Sequence, residues 1–252
     1  MITYNHEPYI RQAIDCVLAQ KTNFPFELVI GEDCSTDGTR EIVFDYAKRY
    51  PNIIRVITSK QNVGMKKNGK RTFEACRGEY IAFCEGDDYW QRDDKLQIQV
   101  DYFNKQPECG LVYSDFDVLT NMLYKKSHIY NSEFSATISP NLTDIISKKT
   151  DIRTCTVLIK KNLMNKIIDK DPYLHQGENF LMGDIQMWAE VSLLSKIGFI
   201  NESLSTYRLL EESATRSKNR VKSLKFSISD AEMHLYLCNK HKLSDTFKKR
   251  YE

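Results

Sequence analysis

Three carboxylates, Glu85, Asp87 and Asp88, fall within four residues, directly after the apolar run Tyr80-Ile-Ala-Phe-Cys84. Charges this close repel one another and are costly unless a cation or hydrogen-bond donors neutralise them. The chemistry such a set supports is a hard divalent ion, Mn2+ or Mg2+, held by oxygens and bridging a phosphorylated ligand. A solvated acidic turn is the competing reading. Glu32-Asp33-Cys-Ser-Thr-Asp-Gly38 forms a second acidic loop behind the apolar run Phe26 to Gly31. Gly64 to Arg71 is a phosphate-binding P-loop pattern, except that Arg71 stands where a Ser or Thr must bind Mg2+. It reads instead as a basic, glycine-containing loop facing the acidic ones, which can touch a ligand's phosphates.

Bringing these loops together requires a sheet. Tyr80 to Cys84 reads as a strand buried on both faces and broken by Gly86, which puts the acids at the carboxyl end of a parallel strand, where open α/β sheets bind ligands. Ile2 to Tyr4 is at most a stub of strand, so the chain is expected to begin inside its own first strand. Pro8 suits the first turn of a helix carrying Ile10, Ile14, Val17 and Leu18 on one face. Strands at 26–31 and 53–57, a helix at 39–50, a polar segment at 61–71 and a helix near 72–77 complete the alternation that parallel βαβ units need.

After Trp90 the pattern predicts a helix at 94–105, a strand at 110–115 and irregular or antiparallel chain to about 138. Short helices at 142–147 and 163–168, strands at 154–159 and 204–209, and a helix at 185–196 follow. Leu224, Ile228, Leu235 and Cys238 predict an amphipathic helix with a basic face over 221–241. The fold class is α/β: a doubly wound, mostly parallel (mixed) sheet flanked by helices, with a C-terminal helical extension.

At 252 residues and 41% hydrophobic the chain can bury a substantial core. No apolar window reaches the roughly 18 residues of a membrane span, and the N-terminus lacks the regions of a signal peptide. The seven cysteines are odd in number and without a C-x-x-C pair, as expected of free thiols in a reducing, cytoplasmic compartment. A net charge of +2 gives poor support for nucleic acid. From Arg216 onward, however, ten Lys/Arg face four acids, so the tail carries +6 and the preceding residues −4. A basic tail on an acidic body points to an anionic partner, such as a membrane surface, or to a solvated helix face.

Thr3-Tyr-Asn5 with Glu7, Leu18-Ala-Gln20, Glu27-Leu-Val-Ile30, Glu32-Asp33-Cys-Ser-Thr-Asp-Gly-Thr39, Asn62-Val-Gly64, Gly78-Glu-Tyr-Ile81 and Glu85-Gly-Asp-Asp88 together resemble the inverting family 2 glycosyltransferases of the GT-A fold. The resemblance covers 1–90 and resumes more weakly at 183–213. It implies a nucleoside diphosphate-sugar donor, a UDP-sugar above all, with base and ribose held by Thr3, Tyr4, Glu7, Glu32 and Asp33. A carboxylate of Glu32 or Asp33 would accept the uracil N3–H. Glu85-Gly-Asp87 stands where the family has its metal-binding D-x-D motif, with Asp88 beside it, and Lys70 stands at a phosphate-contacting position. Gly183-Asp184-Ile-Gln-Met-Trp188 resembles the family's acidic pair, which makes Asp184 the catalytic base with Gly183 in place of the first acid.

Asp184 also has the sequence position of a helix cap, and Glu178 is the second candidate for the base. Tyr207-Arg208 resembles the family's Tyr-Arg, yet Leu209 to Ser213 lacks the family's following His. Trp90 and Trp188 read as core aromatics. The resemblance implies a 1–215 transferase domain, with a donor half at 1–115 and an acceptor half at 116–215, followed by a basic extension at 216–252. The implied reaction moves a sugar, with inversion and metal assistance, to a hydroxyl of a glycan or lipid-linked acceptor in polysaccharide or glycan biosynthesis. A non-catalytic nucleotide-sugar binder and a sugar nucleotidyltransferase are the alternatives.

Overall fold

The computed structural model describes residues 1–120, 123–125, 139–175, 179–211 and 218–249. Strands β1 (Ile2–Thr3), β2 (Leu28–Glu32) and β3 (Ile54–Thr58) form a parallel sheet in that order. β2 is buried on both faces, which is why its sequence is a continuous apolar run. Helix α1 (Ile10–Leu18) buries Ile10, Ala13, Ile14 and Val17, and α2 (Thr39–Arg49) buries Ile42, Val43 and Tyr46 in the same core.

The expected helix near 72–77 is instead α3, Met65–Ala75, which takes up most of the polar segment. Its fully buried residues are the polar Asn68 and Thr72, and only Phe73 packs against the apolar core, so hydrophobic periodicity does not reveal its start. Asn68 donates to the Gly31 carbonyl at 2.7 Å, and Thr72 packs beside it. Gly31 is needed here, because a Cβ would lie 2.8 Å from the Asn68 side-chain oxygen and closer still to the Thr72 hydroxyl. Gly64, at φ 86°, turns the chain into this helix in a conformation only glycine adopts freely.

The second sheet has the order β4-β8-β6-β9-β5, with β7 on the outer part of β6. Its strands are β4 (Tyr80–Ala82), β5 (Tyr89–Trp90), β6 (Cys109–Thr120), β7 (Leu123–Lys125), β8 (Leu158–Lys160) and β9 (Lys196–Arg208). β6 and β9 run parallel and the other pairs antiparallel. β4 is therefore not the parallel strand expected of the acidic run. It pairs with β8, and the chain beyond it meets the first sheet where Gly86 N–H donates to the Ile2 carbonyl at 3.0 Å. The two sheets so joined make one curled, mixed sheet flanked by helices.

Around it lie α4 (Lys95–Lys105), α5 (Leu142–Ile146), α6 (Lys161–Lys170), α7 (Pro172–His175), α8 (Ile185–Leu194), α9 (Arg220–Lys240) and α10 (Asp245–Lys248). The expected strand at 154–159 opens as a 3-10 turn, Thr154–Thr156, before β8. α9 packs Met233, Leu237 and Cys238 into the core around Trp188, and Lys240 ties it to Asp171 at 2.5 Å and Glu190 at 2.9 Å. The predicted apolar face of α9 is buried at its C-terminal end, at Cys238, whereas Leu224 and Ile228 at its N-terminal end point to solvent. Both tryptophans are core residues with their indole N–H groups bonded to backbone carbonyls, Trp90 to Phe83 and Cys155, Trp188 to Ile152. All seven cysteines are free thiols. No helix among the described residues is long and apolar enough to cross a membrane.

Candidate active site

A cleft of about 2220 Å³ runs along the line where the two sheets meet. Thr3, Tyr4, Asp33, Lys70, Glu85, Asp87, Asp88 and Asp184 all line it. Glu7 and Glu32 do not, and the structure corrects their expected place. Glu32 is fully buried and accepts from Ser35 N–H at 2.6 Å, Arg40 at 2.8 Å and the Thr58 hydroxyl at 3.0 Å. Glu7 is exposed and accepts Gly38 N–H at 2.9 Å. Both shape the 33–39 loop through these hydrogen bonds.

Asp33 lies at the end of β2. Its two oxygens accept Val63 N–H and Gly64 N–H, each at 2.9 Å, and Arg71 approaches to 3.4 Å. These bonds hold the Asn62-Val-Gly64 turn against the acidic loop. Arg71 also donates to the Glu32 carbonyl at 3.0 Å, so the residue that spoils the P-loop pattern organises this end of the cleft. Sequence reading passed over it in favour of Lys70, its neighbour, whose closest carboxylate is Glu74 at 3.8 Å. Tyr4 lines the cleft and is 42% exposed.

The three acids after β4 divide into two roles. Asp88 is buried, accepts the Arg208 backbone N–H at 2.7 Å, and has its carboxyl pushed well up by burial and by Asp87. Its Oδ1 is thereby tied to the fold. Glu85 is different, because its Oε2 is buried with no hydrogen-bond partner. Burial first, then the Asp87 charge, raises its carboxyl to about 7. An orphaned carboxylate oxygen beside a second carboxylate is a donor pair that an oxygen-seeking divalent cation fits. Among the described residues no group of three His, Cys, Asp or Glu converges as a complete ligand set, so water or ligand oxygens would have to supply the rest.

Asp184 caps α8 by accepting Ile185 N–H at 2.9 Å, as a boundary Asp should. Burial nonetheless raises its carboxyl, against the lowering effect of that bond and of Arg153. The cap and the basic carboxylate are thus the same group. The Asp184 charge also contributes to raising Glu85, so the helix cap and the acid after β4 act on one another across the same cavity. Beside Asp184 lies Arg153, ion-paired to Asp151 at 2.6 Å and stacked 4.7 Å over the Tyr207 ring, a residue no sequence pattern marked. Gly183 faces open space, with nothing within 4 Å of a Cβ built there. Glu178 lies outside the described residues.

Known proteins match this architecture. The family description "Glycosyl transferase family 2" matches residues 1–163. The chain belongs to glycosyl transferase family 2. Rv1520, an uncharacterized protein of Mycobacterium tuberculosis, is 36% identical over 194 residues, covering 75% of this chain and 55% of that protein. This chain thus spans about half the length of its mycobacterial relatives. TuaG of Bacillus subtilis, whose name assigns it as a glycosyltransferase to teichuronic acid biosynthesis, is 29% identical over 220 residues, covering 86% of this chain and 80% of TuaG.

Among solved structures, residues 1–349 of Staphylococcus aureus TarS in complex with UDP-GlcNAc superpose with a TM-score of 0.69 at 18% identity, over 99% of this family 2 chain and 67% of that TarS fragment. The mannosyltransferase PcManGT of Pyrobaculum calidifontis, in complex with GDP-Man and Mn2+, gives 0.66 at 15% identity, over 96% and 63%. At these identities the likeness establishes the GT-A fold.

Proposed function

We propose that this chain transfers a sugar from a nucleoside diphosphate-sugar, preferably a UDP-sugar, to a hydroxyl acceptor with inversion, in glycan or polysaccharide biosynthesis. The observation that carries the reading is the meeting of Glu85 and Asp87 with Asp184 across one cleft that also holds Asp33. Asp33 lines the cleft beside its donors Val63, Gly64 and Arg71, and it would accept the N3–H of uracil. Tyr4 and Thr3 border the base and ribose, and Lys70 approaches the phosphates.

Glu85 and Asp87 are the residues that would hold Mn2+ or Mg2+. When bound, such an ion neutralises the charge that develops on the diphosphate leaving group. Asp184 takes the proton of the acceptor hydroxyl as that oxygen bonds to the anomeric carbon and the bond from that carbon to the diphosphate breaks. A carboxylate raised by burial is a stronger base than a free Asp, which suits that task. One base and one displacement give inversion. Neighbours with bound UDP-GlcNAc or GDP-Man and Mn2+ support the donor class and the ion. The free cysteines support a reducing, cytoplasmic setting.

Gly183, standing where the family has an acid, favours a second reading as a nucleotide-sugar binder without turnover. Thermal-shift screening of UDP and GDP with and without Mn2+, followed by donor turnover in the wild type and in Asp184→Asn, separates the two. Loss of turnover with donor affinity kept supports the enzyme. A wild type that binds UDP-sugars but never consumes one establishes the binder.

A further inference from the structure

Val221, Leu224 and Ile228 are 60%, 62% and 57% exposed, more than any other large apolar side chain among the described residues. Their spacing stacks them on one face of α9. Arg220, Lys222 and Lys225 are exposed around them, and the sequence from Lys218 to Ser229 holds no acid. The other side of the same helix gives Phe226, Ser227 and Asp230 to the cleft, and buries Met233, His234 and Leu237 farther along. α9 is thus two-sided, with one face built into the protein and the other an aliphatic stripe in a cationic collar.

We propose that the N-terminal half of α9 docks on an anionic lipid bilayer, with Val221, Leu224 and Ile228 entering the headgroup–acyl boundary and Arg220, Lys222 and Lys225 meeting anionic headgroups. A short apolar stripe flanked by cations has the chemistry of a helix lying in the interface plane. The collar selects this occupant over a second copy of the chain, because a two-fold contact through the stripe would bring like charges together. Docking this face sets the cleft, lined by the opposite face, alongside the membrane. Resting on the transferase reading, this deepens it, since the acceptor hydroxyl would then be presented by a lipid-linked molecule.

Vesicle flotation tests the docking directly. The wild type rises with vesicles containing phosphatidylglycerol and stays behind with pure phosphatidylcholine. Flotation falls as salt shortens the screening length from about 10 Å at 0.1 M to about 3 Å at 1 M. Lys222→Gln and Lys225→Gln each lower partitioning about fivefold. The double variant Leu224→Ser/Ile228→Ser loses flotation while its melting curve matches the wild type. Equal flotation with both lipids, flotation unchanged in the double variant, or no flotation at all overturns the proposal. So does a dimer in sedimentation that the double variant dissolves, which would make the stripe a contact between copies. Donor hydrolysis measured without vesicles is unchanged in these variants, so the transferase reading stands or falls separately.

Discussion

Arg208 donates its backbone N–H to the Asp88 carboxylate at 2.7 Å and its guanidinium to the Asp87 carbonyl at 2.6 Å, stacking between the Tyr9 and Tyr89 rings at 5.0 and 4.9 Å. The last residue of β9 thereby clamps the acidic loop that follows β4, more than a hundred residues earlier in the chain. Glu85 and Asp87 face the cleft from a loop whose backbone is held from behind.

This division of labour predicts opposite results for two neighbouring acids. Asp88→Ala leaves the buried Arg208 N–H unpaired and costs about 1–3 kcal/mol in denaturant unfolding. Asp87→Ala leaves the unfolding midpoint near that of the wild type. It abolishes the extra thermal shift that Mn2+ adds to UDP.

Replacing Asp184 by Asn keeps the cap, since Asn caps as well as Asp, and removes the base. Turnover of donor with acceptor is expected to fall about 10²–10⁴-fold. The melting temperature and the UDP dissociation constant stay unchanged. A matching fall in stability would reduce Asp184 to a cap.

Two buried groups impose opposite pH slopes on stability. Glu85, raised from 4.5 to about 7, binds its proton more tightly folded than unfolded, so its contribution is full below 4.5 and is lost as pH rises towards 7. His175, lowered from 6.5 to about 4 by burial, must charge on unfolding, so its contribution is full above 6.5 and is lost as pH falls towards 4. Glu85→Gln is expected to remove the first slope in metal-free protein and His175→Phe the second. Denaturant midpoints measured from pH 4 to 8 read both, and parallel curves for all three proteins would refute the assignment.

At Gly183 an acid can be added without steric cost, because no atom lies within 4 Å of the Cβ position. Gly183→Glu is expected to keep stability within about 0.5 kcal/mol. A second carboxylate beside Asp184 raises its pKa further. The pH at which turnover is half-maximal should therefore move upward in an initial-rate profile. Gly31→Ala is the contrasting case, since Asn68 and Thr72 occupy its Cβ space and the variant should lose about 1–3 kcal/mol.

The sequence alone determined the parallel strands β2 and β3, because they are apolar runs that end in residues whose chemistry is recognisable without coordinates. It also determined the family, through motifs whose order is written in the chain, and the cap at Asp184, which is a local signal. Tertiary structure decided which acids are available. Glu32 and Asp88 look as reactive as Asp87 in the sequence, and only their partners from Arg40, Thr58 and Arg208 show that they brace the fold. It likewise decided the start of α3 at Met65, held by hydrogen bonds from Asn68, and the outward turn of Leu224 and Ile228. Local pattern records which residues prefer burial or a turn, whereas hydrogen-bond partners and the buried side of a helix are set by contacts between segments far apart in the chain.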